Sequence, residues 1–139
     1  MSLLKSCGTG PHSSSQTPKE VIVSGGGDYN NKDFLFRALD AYYKMGLFDA
    51  LVQGGAHGAD RLAQEWALSR KVPSEQVSAA WNLYGNRAGV LRNRAMAKRP
   101  DVCLVIAFSG GRGTENMVAE AGKNNLKVID LRGKENAMS

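Results

Sequence analysis

Short β-branched runs alternate with segments of helical apolar spacing along most of the 139-residue chain. The first run, Val21-Ile22-Val23-Ser24, enters the glycine turn Gly25-Gly26-Gly27-Asp28-Tyr29-Asn30-Asn31. A helix is predicted over about 32–45, because Leu35, Ala38, Leu39 and Tyr42 fall at i, i+3, i+4 and i+7, and Gly46 is a natural stop. Residues 49–53 form a second strand that meets the turn Gly54-Gly55-Ala56-His57-Gly58. Ala59, Leu62, Ala63, Trp66 and Ala67 mark the inward stripe of a helix ending near Ser69, with Arg61 and Glu65 spaced to pair on it. Residues 76–80 are a weaker strand, 81–86 a loop, and 87–98 a helix bounded by Pro100. The apolar run 102–108 reads as a parallel strand covered on both faces. It passes straight into Ser109-Gly110-Gly111-Arg112-Gly113-Thr114 and a helix over about 114–124, with Met117, Val118 and Ala121 inward. Residues 127–131 close the pattern as a last strand.

Strands that alternate with helices require crossover connections and a parallel sheet. The predicted fold is therefore α/β: a three-layer α/β/α Rossmann-like domain with a mostly parallel sheet of about five strands. It occupies residues 19–132, between a small, polar, proline-broken tail over 1–18 and a polar tail over 133–139. Ligands of such sheets bind at the carboxyl ends of the strands. Strands exit into glycine turns at Gly25, Gly54 and Gly110, so all three turns converge on that edge.

Composition narrows the partners. Eighteen Lys and Arg against 13 Asp and Glu give a formal charge of +5, which favours anions in general. No apolar run reaches the roughly 20 residues of a bilayer span, and the first 19 residues hold no secretory core, so a cytoplasmic setting without membrane contact is expected. Two cysteines, Cys7 in the tail and Cys103 in the strongest strand, support no disulfide framework. There is no His/Cys cluster at metal spacing, so no metal or other cofactor is expected. The dinucleotide fingerprint, the P-loop and the hydrolase nucleophile elbow are all missing.

The leading anion site is the third turn. Backbone N–H groups around Ser109, Gly110, Gly111, Gly113 and Thr114 would face phosphate oxygens at a helix N-terminus, with Thr114 as its cap. Arg112 within the turn either clamps the ligand or faces water. Arg92 and Asn93 lie on the preceding helix, and a guanidinium fork suits phosphate. Consecutive helical residues diverge by about 100°, which leaves Arg94 to solvent. Gly25, Gly26 and Gly27 of the first turn, and Gly54 and Gly55 of the second, line the same edge. Asp60 either serves the helix dipole, binds a ribose hydroxyl or orients Arg92. His57 is a ligand contact or a bystander, Trp81 a stacking aromatic or a rim residue, and Trp66 core.

The ordered set Val-Ser-Gly-Gly, Gly-Gly-Ala-His-Gly-Ala-Asp-Arg-Leu-Ala, Arg-Asn-Arg-Ala-Met and Ile-Ala-Phe-Ser-Gly-Gly-Arg-Gly-Thr resembles the SLOG superfamily over about residues 21–131. Within it, the YspA/YpsA-related group of small bacterial and phage proteins is nearest. The resemblance implies a Rossmann-like domain whose glycine turns hold nucleotides or nucleotide-derived molecules, in proteins that commonly form homodimers or higher homo-oligomers. LOG enzymes of this superfamily cleave the N-glycosidic bond of nucleoside monophosphates, other members sense ADP-ribose-like or cyclic signals, and DprA proteins act on single-stranded DNA.

Two departures set the functional expectation. LOG hydrolases carry P-G-G-x-G-T-x-x-E; here Ser109 takes the proline position and Met117 the catalytic glutamate position, and Glu115 and Glu120 are rotated away from it. The group's first-turn arginine is here Gly27, followed by Asp28, which exchanges a cation for a group suited to a sugar hydroxyl or base. Arg92 matches the LOG arginine ahead of a methionine, here Met96. The first expectation is a protein that binds a nucleotide-derived small molecule without turning it over. A nucleoside-phosphate N-glycosidase is the alternative, with Asp28 or Asp60 as the carboxylate. Single-stranded DNA binding ranks last, because only Trp81 and Tyr84 interleave with the basic cluster over 87–94.

Overall fold

In the computed structural model, residues 18–135 are described. Residues 1–17 of the tail expected over 1–18, Cys7 among them, and residues 136–139 lie outside the described residues. The chain runs β1 (Glu20–Ser24), α1 (Lys32–Lys44), β2 (Ala50–Gln53), α2 (Ala59–Arg70), β3 (Ser74–Gln76), α3 (Trp81–Tyr84), a 3-10 turn (Gly85–Arg87), α4 (Ala88–Ala97), β4 (Val102–Ala107), α5 (Arg112–Lys123) and β5 (Lys127–Asp130). The strands form one sheet in the order β3-β2-β1-β4-β5, and every neighbouring pair is parallel.

That order explains the layers. The chain steps from β1 outward to β3, then returns across the sheet to β4 and moves outward the other way. Right-handed crossovers in opposite directions place their helices on opposite faces. Leu35 and Leu39 of α1 and Ala63 and Trp66 of α2 accordingly pack with Val21, Leu51 and Ile106. Met96 and Ala97 of α4 and Met117 and Ala121 of α5 pack with Ile22, Val52 and Val105 on the other face. β2 and β4 are buried along their whole lengths, as the continuous apolar run of β4 predicts. Among the described residues, no helix is long and apolar enough to cross a membrane.

Trp66 is the largest fully buried side chain. Its Nε1 donates to Asp40 Oδ1 at 2.9 Å, and the Tyr43 and Phe48 rings lie 5.7 and 5.8 Å away. Asp40 also accepts from Arg70, and that pairing holds its carboxyl below the usual range. Trp66→Phe keeps an aromatic ring but deletes the donor and part of the volume. It should cost about 1–2 kcal/mol in urea unfolding.

The structure corrects the sequence reading at several places. β3 lies at 74–76 rather than 76–80, because Ser74, Glu75 and Gln76 pair with Leu51, Val52 and Gln53 at a half-exposed sheet edge where apolar pattern is weak. Residues 81–86 are helical rather than a loop: Leu83 N and Tyr84 N both donate to Ala80 O, yet none of the α3 side chains is buried. α5 begins at Arg112, so Gly111 takes the N-cap position expected for Thr114 and supplies no capping side chain. Glu65 pairs with Lys32 of α1 at 3.3 Å. Past β5 the chain folds back, with Leu131 N on Ala107 O at 2.8 Å and Gly133 N on Ser109 Oγ at 2.8 Å.

Candidate functional site

β1 and β4 are neighbours from which the chain departs in opposite directions, so their carboxyl ends form the topological switch point of the sheet. Their ladder continues into the turns: Phe108 N donates to Ser24 O at 2.8 Å and Gly26 N to Ser109 O at 2.9 Å. The second turn joins them through Ala59 N, which donates to Gly26 O at 3.1 Å. Gly58 makes that approach possible. It has φ 71°, and a Cβ there would overlap the Gly26 carbonyl oxygen and the Gly27 carbonyl carbon.

A cavity of about 320 Å³ opens at this junction. Gly25, Gly26, Gly27, Asp60, Arg92, Asn93, Gly111, Gly113 and Thr114 of the predicted set line it, joined by Val23, Ser24, Ala56 and Met96. Met96 lies four residues after Arg92 on α4, on the same face, a spacing that sequence alone displays. Ser24, the last residue of β1, carries no such signal.

The polar side chains are held by one network. Asn93 is buried; its Nδ2 donates to Gly113 O at 3.2 Å and to Asn116 Oδ1 at 2.9 Å, and its Oδ1 accepts from Arg92 Nε at 2.9 Å. Arg92 Nη1 donates to Gly54 O at 2.7 Å. Gly54 lies so close beneath the guanidinium that a Cβ there would displace it. Burial pulls the Arg92 pKa down, and nearby Asp60 opposes the shift. Arg94 turns the other way, to Glu120 at 3.8 Å.

Asp60 closes the second turn. Its Oδ2 accepts from Gly54 N at 3.1 Å and Ala56 N at 3.2 Å. Burial raises its pKa above the ordinary carboxylate value, against the lowering by Ala56 N–H, Arg92 and Gly54 N–H. A raised folded-state pKa stabilises the fold below the unfolded pKa, and this contribution is lost as pH rises through the folded value. The unfolding free energy of wild type relative to Asp60→Asn should therefore increase from pH 7 to pH 4. A flat or shrinking difference in paired urea titrations would contradict this environment for Asp60.

The N-terminus of α5 forms the floor. First-turn N–H groups of a helix have no intrahelical acceptor. Thr114 in that turn is 2 % exposed, and its Oγ1 has no hydrogen-bond partner among the described residues. Met117 faces the core. Glu120 is buried behind α5, near Arg94 and Lys123, and does not reach the cavity.

Other predicted residues stand elsewhere. His57 and Arg112 are exposed and outside this cavity. Trp81 is 58 % exposed on α3 and also outside it. Gly54 and Gly55 do not line it either: Gly54 O accepts from Arg92, and Gly55 N donates to Gln53 Oε1 at 2.6 Å. Asp28, Ser109 and Gly110 line an adjacent cavity.

A model of the YspA, cpYpsA-related SLOG family matches residues 19–84. The Gene 61 protein of Mycobacterium phage D29 is 32 % identical over 123 residues, covering 84 % of this chain and 98 % of the phage protein. The chain belongs to the YspA/cpYpsA-related SLOG family. No solved structure matches it. The SLOG match spans β1 through α3, and with it the first two glycine turns; Arg92 and the α5 N-terminus follow later in the chain.

Proposed function

We propose that this SLOG protein binds a nucleotide or nucleotide-derived small molecule by its phosphate and holds it without turnover. The observation that carries this reading is the cavity at the open N-terminus of α5, where Gly111, Gly113 and Thr114 line the same space as Arg92. A phosphate at that helix end would accept from first-turn amides that have no intrahelical partner. Free amides and the helix dipole favour the same charge. Arg92 adds a cation that Asn93 keeps aimed.

The chemistry for turnover is poorly supplied. Glycosidic hydrolysis draws on a carboxylate beside the anomeric carbon. The position that would carry it on α5 is Met117, and the Asp60 oxygen that turns toward the backbone already accepts two amides.

Calorimetric titration with AMP, inorganic phosphate and adenosine tests the reading, with chromatography of the AMP mixture afterwards. AMP should bind at least about tenfold more tightly than adenosine, as expected for charge-assisted bonds to the phosphate, and should be recovered intact. Equal affinity for adenosine would overturn the phosphate anchor, and released adenine would overturn the absence of turnover.

A further inference from the structure

Of the seven large apolar side chains exposed among the described residues, four belong to α3 and the start of α4: Trp81, Leu83, Tyr84 and Val90. None of them lines the phosphate cleft. Leu83 projects furthest into solvent, at 77 % exposed. Trp81 and Tyr84 are three apart and share one side of α3. The Trp81 indole rests against α4 beside Val90, where a Cβ on Gly89 would lie 3.5 Å from Cη2. The short helix thus displays its apolar side chains and buries none of them. Apolar groups gathered in this way on a surface mark a site of association.

The charge around them is one-sided. From residue 77 to residue 100 the chain has five Lys and Arg and no Asp or Glu, which equals the formal charge of the whole protein. Arg92 is engaged at the cleft, and Arg99 pairs with Glu20 and Glu75. Arg87 is exposed and has no ion-pair partner among the described residues. Arg94 is exposed too, and its Glu120 contact is long at 3.8 Å. Arg87, Val90 and Arg94 fall at i, i+3 and i+7, so one helical stripe carries an apolar centre with a cation at each end.

This chemistry selects the occupant. Aromatic side chains and arginine are the residue types enriched at protein interfaces. A segment that brings apolar side chains beside carboxylates covers the first and meets the guanidinium forks of the second. A second copy in a twofold contact would offer the same surface, with the same arginines and no carboxylate to meet them. A single strand of nucleic acid stacks its bases on rings, and the aliphatic Leu83 and Val90 supply none.

We propose that α3 and the start of α4 form a docking surface for another protein, which enters with an acidic segment carrying apolar anchors. The surface works independently of whatever fills the cleft.

Panning a displayed library of short random peptides against the full chain, then titrating the selected peptides, tests it. Selected sequences should combine Asp or Glu with Leu, Phe or Trp. Leu83→Asp and Arg87→Glu should each weaken them at least about tenfold. Lysine in place of the peptide carboxylates should restore binding to Arg87→Glu. Both changes fall on exposed side chains and should leave the urea midpoint where it is in wild type. Selection of no peptide, or of peptides indifferent to both variants, would overturn the proposal. Oligo(dT) binding that both variants abolish would give the surface to nucleic acid instead. A dimer in sedimentation equilibrium that Leu83→Asp dissociates would give it to a second copy, and either result would equally end the proposal.

Discussion

Gly58→Val is expected to remove about 4 kcal/mol or more of stability, enough to unfold much of a marginally stable domain. Two costs meet at this position. A β-branched residue is forced to φ 71°, a left-handed conformation that such side chains strongly disfavour. Its Cβ also overlaps Gly26 O and Gly27 C, which are main-chain atoms and cannot rotate away. Relief would require separating the second glycine turn from the first, which breaks the bond from Ala59 N to Gly26 O. Gly46→Ala is the control. Gly46 has φ 77°, but open space surrounds its Cβ position. It should lose only the conformational part, about 1 kcal/mol. Urea unfolding of both variants separates the terms. A Gly58→Val protein within about 1 kcal/mol of wild type would mean that the turns do not pack against one another as described.

The convergence of the three turns was legible because a parallel sheet leaves no other place for loops that follow its strands. β4 was legible for a related reason: a strand covered on both faces must be apolar throughout, and 102–107 is. The edge strand β3 carries Ser74, Glu75 and Gln76, whose identity as a strand comes from pairing with β2 and not from burial. α3 exposes Trp81, Leu83 and Tyr84 and has no inward stripe to detect. At the site, helix rotation says only that Arg92, Asn93 and Arg94 cannot all face one space; the structure sets Arg92 and Asn93 along the cavity and turns Arg94 to Glu120. The role of Asp60 was harder to read. Its bonds to Gly54 N and Ala56 N depend on the turn curling back over the start of α2, which spacing does not disclose. Ser109 meets its partner 26 residues later, across a fold-back that begins only after β5. Strand order, which decides that the cleft lies between β1 and β4, was not encoded in any local pattern.

Gly111→Val is expected to weaken nucleotide binding by more than about a hundredfold while leaving the fold in place. Gly111 has φ −107°, and no atom lies within 4 Å of its Cβ position. Folding therefore tolerates the side chain, at the roughly 1 kcal/mol by which valine is a poorer N-cap than glycine. The space is free because it belongs to the cavities, both of which Gly111 lines. An isopropyl group there excludes the ligand phosphate and shields the first-turn amides of α5. It also narrows the passage to the Asp28 cavity. Binding and stability should thus separate: Gly111→Val should lower its unfolding midpoint by no more than that roughly 1 kcal/mol implies and lose AMP, whereas Gly58→Val should lose the fold itself. Unaltered AMP affinity in a folded Gly111→Val protein would move the phosphate away from the α5 N-terminus and end the reading built on that helix end.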